Sequence, residues 1–154
     1  MKTDAILSDD RKYRYVLSRI WDETKPYVMI VGLNPSTADE TENDPTINKC
    51  IEFSKSWGYG GVYMLNLFAF RATLPIDMKN AEDPVGIEND NYIKEYSKLC
   101  DKVICAWGND GSYKNRSKTV LSNLNNAYYI KLNKSGEPAH PLYLKGDLTP
   151  IKFN

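Results

Sequence analysis

Tyr27-Val28-Met29-Ile30-Val31-Gly32-Leu33-Asn34-Pro35-Ser36-Thr37 is the stretch that decides the fold. Tyr27 to Val31 is an apolar run rich in β-branched residues and closed by a glycine, the pattern of a strand buried on both faces. Gly32 permits a tight turn or a close backbone approach, and Pro35 removes a donor and stiffens the exit. Asn34, Ser36 and Thr37 bring amide and hydroxyl groups to the strand's carboxyl end. In an open α/β sheet that end is where ligands bind, so Gly32 to Thr37 is the first candidate site.

Upstream, Lys12 to Ile20 alternates, with Tyr13, Tyr15, Leu17 and Arg19 on one side and Arg14, Val16, Ser18 and Ile20 on the other. This predicts an N-terminal strand at a sheet edge. Downstream, Asp39 to Asp44 is an acidic loop, and Asp44-Pro45 is a good helix start, with the carboxylate as N-cap and proline in the first turn. Ile47, Cys50, Ile51, Ser54 and Trp57 then recur at helical spacing until Gly58. Val62 to Phe68 reads as a second buried strand interrupted by Asn66, a side-chain amide that must find partners in neighbouring loops or in a ligand. Arg71 follows in a loop and can present a rigid fork of donors.

Asp77 to Pro84 reads as irregular, and Ile87, Tyr92, Ile93, Tyr96, Leu99 and Cys100 outline a second helix. Lys102 to Trp107 predicts a third buried strand, stopped by Gly108-Asn109-Asp110-Gly111. Val120, Leu121 and Leu124 mark a third helix, and Ala127 to Leu132 a fourth strand. Alternating strands and helices predict a three-layer α/β/α sandwich with a central, mainly parallel sheet and right-handed crossovers. The loops after Val31, Phe68 and Trp107 are then expected on one edge.

The 154 residues, 42% of them hydrophobic, suit a single domain over 1–154. Twenty basic and twenty acidic residues give a formal net charge of zero, which supplies no global attraction for nucleic acid or an anionic membrane. There is no membrane-length apolar run and no signal-peptide pattern at Met1-Lys2-Thr3-Asp4, so a cytoplasmic protein with no membrane partner is expected. Cys50, Cys100 and Cys105 lie in apolar surroundings without Cys-x-x-Cys spacing and read as core thiols, with no structural metal and no cofactor expected.

The chemistry concentrates in a few places. Neither Gly-x-Gly-x-x-Gly nor a Walker loop occurs, which disfavours nucleotide hydrolysis by those routes, and Gly-x-Ser-x-Gly is absent. His140, the single histidine, lies between Ala139 and Pro141 in a loop, where its imidazole can donate to a developing anion or shuttle a proton. Of the acids near the first loop, Asp44 is explained as a helix cap, and Asp39 is the better candidate for activating a water. A solvated acidic loop explains all four of Asp39, Glu40, Glu42 and Asp44 equally well.

Gly32-Leu33-Asn34-Pro35, Asn66 at the end of a buried strand, and His140-Pro141-Leu142 together resemble the motif order of the uracil-DNA glycosylase superfamily. The run Asn66 to Pro75 is also similar to the asparagine-to-arginine-proline stretch of some bacterial members. More closely, the chain resembles DUF1643, a family of uncharacterised bacterial and phage proteins. The resemblance rests on Leu33-Asn34-Pro35-Ser36-Thr37-Ala38-Asp39, Asp44-Pro45-Thr46, Trp57-Gly58-Tyr59-Gly60, Asn66-Leu67-Phe68-Ala69, Arg71-Ala72-Thr73, Ala106-Trp107-Gly108 and His140-Pro141-Leu142-Tyr143-Leu144.

The glycosylase resemblance implies hydrolysis of an N-glycosidic bond in nucleic acid, a nucleotide or a nucleoside. A non-catalytic module binding a nucleobase or nucleotide is the alternative. It further implies His140 as donor to the departing base, Asn66 on the base's Watson-Crick edge, and Asn34 with Asp39 positioning water. Phe68 or Tyr143 would stack on an extruded base, and Leu142 would wedge the vacated stack. Asn34 stands where the most active glycosylases carry an aspartate, and so resembles the mismatch-type members.

Overall fold

A computed structural model describes residues 1–153 of the chain. Seven strands form one mixed sheet, from β1 (Lys2–Leu7) and β2 (Arg14–Ile20) through β3 (Tyr27–Gly32), β4 (Gly61–Asn66), β5 (Val103–Cys105) and β6 (Ala127–Tyr129) to β7 (Ile151–Lys152). Their order is β1-β2-β4-β3-β5-β6-β7. The inner strands β4, β3, β5 and β6 are parallel, while β1, β2 and β7 run antiparallel to their neighbours. The mainly parallel expectation therefore holds for the centre and fails at both margins.

β3 lies between β4 and β5, which is why Tyr27 to Val31 reads as a continuous apolar run. Its alternate residues divide between two clusters. Met29 and Val31 join Leu65, Val103, Cys105 and the inward residues of α3 (Asn89–Leu99) and α4 (Arg116–Ser122). Val28 and Ile30 join Met64, Ile104 and the buried face of α1 (Pro45–Ser56) formed by Ile47, Cys50 and Phe53. The α1 start follows the sequence, with the Asp44 carboxylate accepting from the Ile47 N–H at 2.9 Å and proline in the first turn.

Several boundaries differ from expectation. β2 is interior rather than an edge, because β1 covers it in antiparallel register from Lys2↔Ile20 to Leu7↔Arg14. Part of Asp77 to Pro84 is helical, as the end of the five-residue α2 (Pro75–Lys79). The stripe of α3 is also shifted. Ile87 and Leu99 are exposed, and Asn89 is buried in their place. The strand expected to run to Phe68 stops at Asn66, and the fourth strand ends at Tyr129. All three cysteines are buried free thiols. Desolvation pushes Cys50 and Cys100 up to about 12 and Cys105 upward as well, so none is a thiolate at neutral pH. Among the described residues, no helix is long and apolar enough to cross a membrane.

Candidate functional site

Because β3 and β4 are parallel with Gly32 opposite Asn66, the β3 turn and the β4 terminus emerge on one sheet edge. Pairing continues past the strands, with the Leu67 and Phe68 N–H groups donating to the Gly32 and Leu33 carbonyls at 2.9 and 3.0 Å. A cleft of about 450 Å³ opens there. Gly32, Asn34, Pro35, Ser36 and Thr37 line it from β3, Asn66 from β4 and Ala106 from beyond β5. Asp44 and Thr46 approach from the start of α1, and His140 and Leu142 close the remaining side. The structure thus gathers eight of the sequence-derived candidates in one place.

Each is held by identifiable bonds. The Asn34 Nδ2 donates to the carbonyls of Ala72 at 2.8 Å and Pro35 at 3.1 Å, which leaves its side-chain oxygen as the uncommitted end. Asn66 is 4% exposed and its Nδ2 has no hydrogen-bond partner among the described residues, an uncommon state for a buried amide. A Cβ at Gly32 would meet the Asn66 Oδ1 at 2.9 Å, so only glycine opposite Asn66 leaves that amide its position. Asn89 holds the strand end from the other face, with its Nδ2 donating to the carbonyls of Asn66 at 2.9 Å and Leu67 at 3.1 Å. The Arg116 Nε adds a bond to the Leu67 carbonyl at 3.1 Å.

His140 opens a short 3-10 turn at Pro141–Tyr143, and its Nδ1 accepts from the Leu142 N–H at 3.3 Å. That bond assigns Nδ1 as acceptor in the neutral ring, so Nε2 carries the proton and is a donor. Desolvation holds the imidazole's pKa below its ordinary 6.5, against an opposing pull from the Asp44 carboxylate, so the ring is neutral at pH 7. The loop is pinned at both ends. The Gly108 N–H donates to the Pro138 carbonyl at 2.8 Å, and the Trp57 indole of the α1 cap donates to the Leu148 carbonyl at 2.9 Å. Gly108 has φ +77°, a conformation that favours glycine, where the chain passes beside His140.

Four expected site residues lie outside the cleft. The Asp39 Oδ1 accepts from the N–H groups of Thr41 at 2.9 Å and Glu42 at 2.8 Å, bonds that hold its carboxyl below the usual range and organise the acidic loop. Asp44, read from sequence only as a cap, is the carboxylate that lines the cleft. Phe68 is fully buried against Tyr113 in the core, so it presents no face for stacking. Arg71 stitches loops together, donating to the carbonyls of Ser36, Arg11 and Thr37 at 3.3, 3.2 and 3.4 Å. Tyr143 points into solvent at 93% exposure.

A buried charged residue of the lining was read from sequence only as a strand residue. Arg14, at the start of β2, is 2% exposed and forms part of the cleft wall. Its Nη1 donates to the Ala38 carbonyl at 3.2 Å, and its Nε is buried without a partner among the described residues. Burial pushes its pKa down to about 10, with Asp44 opposing the shift and Arg71 and Arg19 adding to it. The available signal was an arginine beside apolar residues in the alternating run, which also fits a side chain whose head reaches water.

Residues 14–142 match the model of a family described as "Protein of unknown function (DUF1643)". No curated protein matches the chain, and no solved structure matches it.

Proposed function

The chain belongs to the DUF1643 family, and we propose that its cleft takes a nucleobase-containing ligand and hydrolyses the N-glycosidic bond. The observation that carries this reading is a buried, unpartnered Asn66 amide in the same small cleft as a neutral imidazole with a free Nε2–H. A flat heterocycle with ring nitrogens and carbonyl oxygens supplies the acceptors both donors lack. The cleft volume falls in the range of small-ligand sites.

In the reaction, the C1′–N bond breaks with its electron pair going to the base, and a water oxygen bonds to C1′. The His140 Nε2–H stabilises the charge gathering on the departing base. Asn66 fixes the base edge. Asp44 replaces Asp39 as the carboxylate that orients the water and accepts its proton, with the Asn34 oxygen as a second acceptor for that water. The departing base takes a proton from solvent. A three-layer arrangement of the uracil-DNA glycosylase kind belongs to this proposal. It is supported by the site's place at the carboxyl ends of β3 and β4 and by helices packing in separate clusters. Three buried free thiols support a reducing compartment such as the cytoplasm.

A second reading, binding without turnover, is favoured by one observation: the Oδ1 of Asp44 is already committed to the Ile47 N–H. Base release from uracil-containing and mismatched oligonucleotides, nucleosides and nucleotides separates the two. Catalysis predicts release by the native protein and its loss in His140→Ala and Asn34→Ala. Binding that depends on Asn66 without any release supports the second reading.

A further inference from the structure

The guanidinium of Arg14 is built for something the protein itself does not supply. Its Nη1 is used, whereas Nε is buried and unpaired and Nη2 makes no hydrogen bond among the described residues. No carboxylate forms an ion pair with it among those residues. The unused Nε–Nη2 edge is the one that grips an oxyanion through two parallel bonds. Arg19, in the same strand, shows what a structural arginine looks like here, with hydrogen bonds to five acceptors.

We propose that Arg14 forms an anion subsite in the cleft and that the ligand is a free mononucleotide, whose phosphate it receives while Asn66 and His140 hold the base. The base half of this statement rests on the function proposed above. A free mononucleotide is favoured over a nucleic-acid backbone by two observations. The guanidinium is buried in the cleft rather than displayed on the surface. The chain also has zero net charge, whereas duplex binding draws on many lysine and arginine contacts. Asp44 in the same cleft opposes additional negative charge, which favours one phosphate over a polyphosphate.

Calorimetric titration tests this with four common nucleosides, their 5′-monophosphates, ribose 5-phosphate and a short single-stranded oligonucleotide. At least one monophosphate is expected to bind the native protein about tenfold or more tightly than its nucleoside. Arg14→Met should bring that ratio to about one while shifting the melting temperature little in either direction, because the lost Ala38 bond is set against relief of a buried unpaired charge. Arg14→Lys, which keeps the charge without the fork, should retain part of the gain.

Equal affinity of native protein for nucleoside and monophosphate overturns the proposal while leaving the base pocket standing. An unchanged ratio in Arg14→Met overturns it too, as does an oligonucleotide that binds more tightly than any mononucleotide. Arg14-dependent binding of ribose 5-phosphate, with nothing gained from a base, upholds the anion subsite and defeats the base pocket. No binding by any probe defeats both.

Discussion

Arg14 and Arg19 share strand β2, and both are almost removed from solvent, at 2% and 0% exposure. The Arg19 end of the strand is closed. Its Nε donates to the Asn43 Oδ1 at 2.8 Å, Nη1 to the carbonyls of Ser18 and Asp4, and Nη2 to those of Asp39 and Glu42. These bonds fasten the acidic loop that delivers Asp44 to the cleft. The Arg14 end is open, with one bond, a buried Nε that has no partner among the described residues, and a place in the lining of the cleft. Equal burial thus accompanies opposite duties, and hydrogen-bond accounting distinguishes them where exposure does not.

The sharpest way to break this comparison is to delete each guanidinium. Arg19→Met takes the donor from four part-buried carbonyls and from the Asn43 side chain and should cost about 2–4 kcal/mol, read by urea unfolding. A loss under about 1 kcal/mol would put the two arginines in one class. The same contrast extends to amides. Asn89→Ala removes the bonds that hold the end of β4 and should cost about 2 kcal/mol, whereas Asn66→Ala removes an unpartnered amide nitrogen and should cost less. Arg14→Met should change stability by about 1 kcal/mol or less, in either direction, because the lost Ala38 bond is set against relief of a desolvated charge.

The smallest effect expected is that of pH. Because the folded state holds the His140 pKa below 6.5, the unfolded chain binds this proton first as pH falls. Stability from this group is therefore full at neutral pH and declines below about 6.5, where protonation of Nδ1 also removes the acceptor for the Leu142 N–H. Proton NMR of the sole imidazole should give a pKa below 6.5, and a value at or above it would contradict the desolvated placement.

The parts of this architecture legible in the sequence are those with long apolar runs or a cap of defined chemistry. β3 is buried on both faces and α1 begins with Asp44-Pro45, so composition and period both declare them. β1 went unread because its first three residues are exposed and it is held through its backbone by β2. α2 and β7 are too short to establish a period. In the cleft, Gly32, Asn34, Asn66 and His140 stood out as polar or permissive residues interrupting apolar runs or isolated in a loop. The choice between Asp39 and Asp44 was not legible, since it depends on which carboxylate the loop turns inward, and Arg19 fixes that loop from a distant strand. Phe68 misled because stacking and core burial call for the same aromatic residue.

The most direct test of the base pocket uses the single histidine as a built-in reporter. The Cε1–H resonance of His140 is followed while nucleosides and 5′-monophosphates are added to the native protein and to Asn66→Ala. A saturable shift with at least one base, weakened about tenfold or more in Asn66→Ala, is the predicted result. A resonance that no nucleoside or nucleotide moves, or one that moves identically in Asn66→Ala, contradicts a site shared by these two side chains.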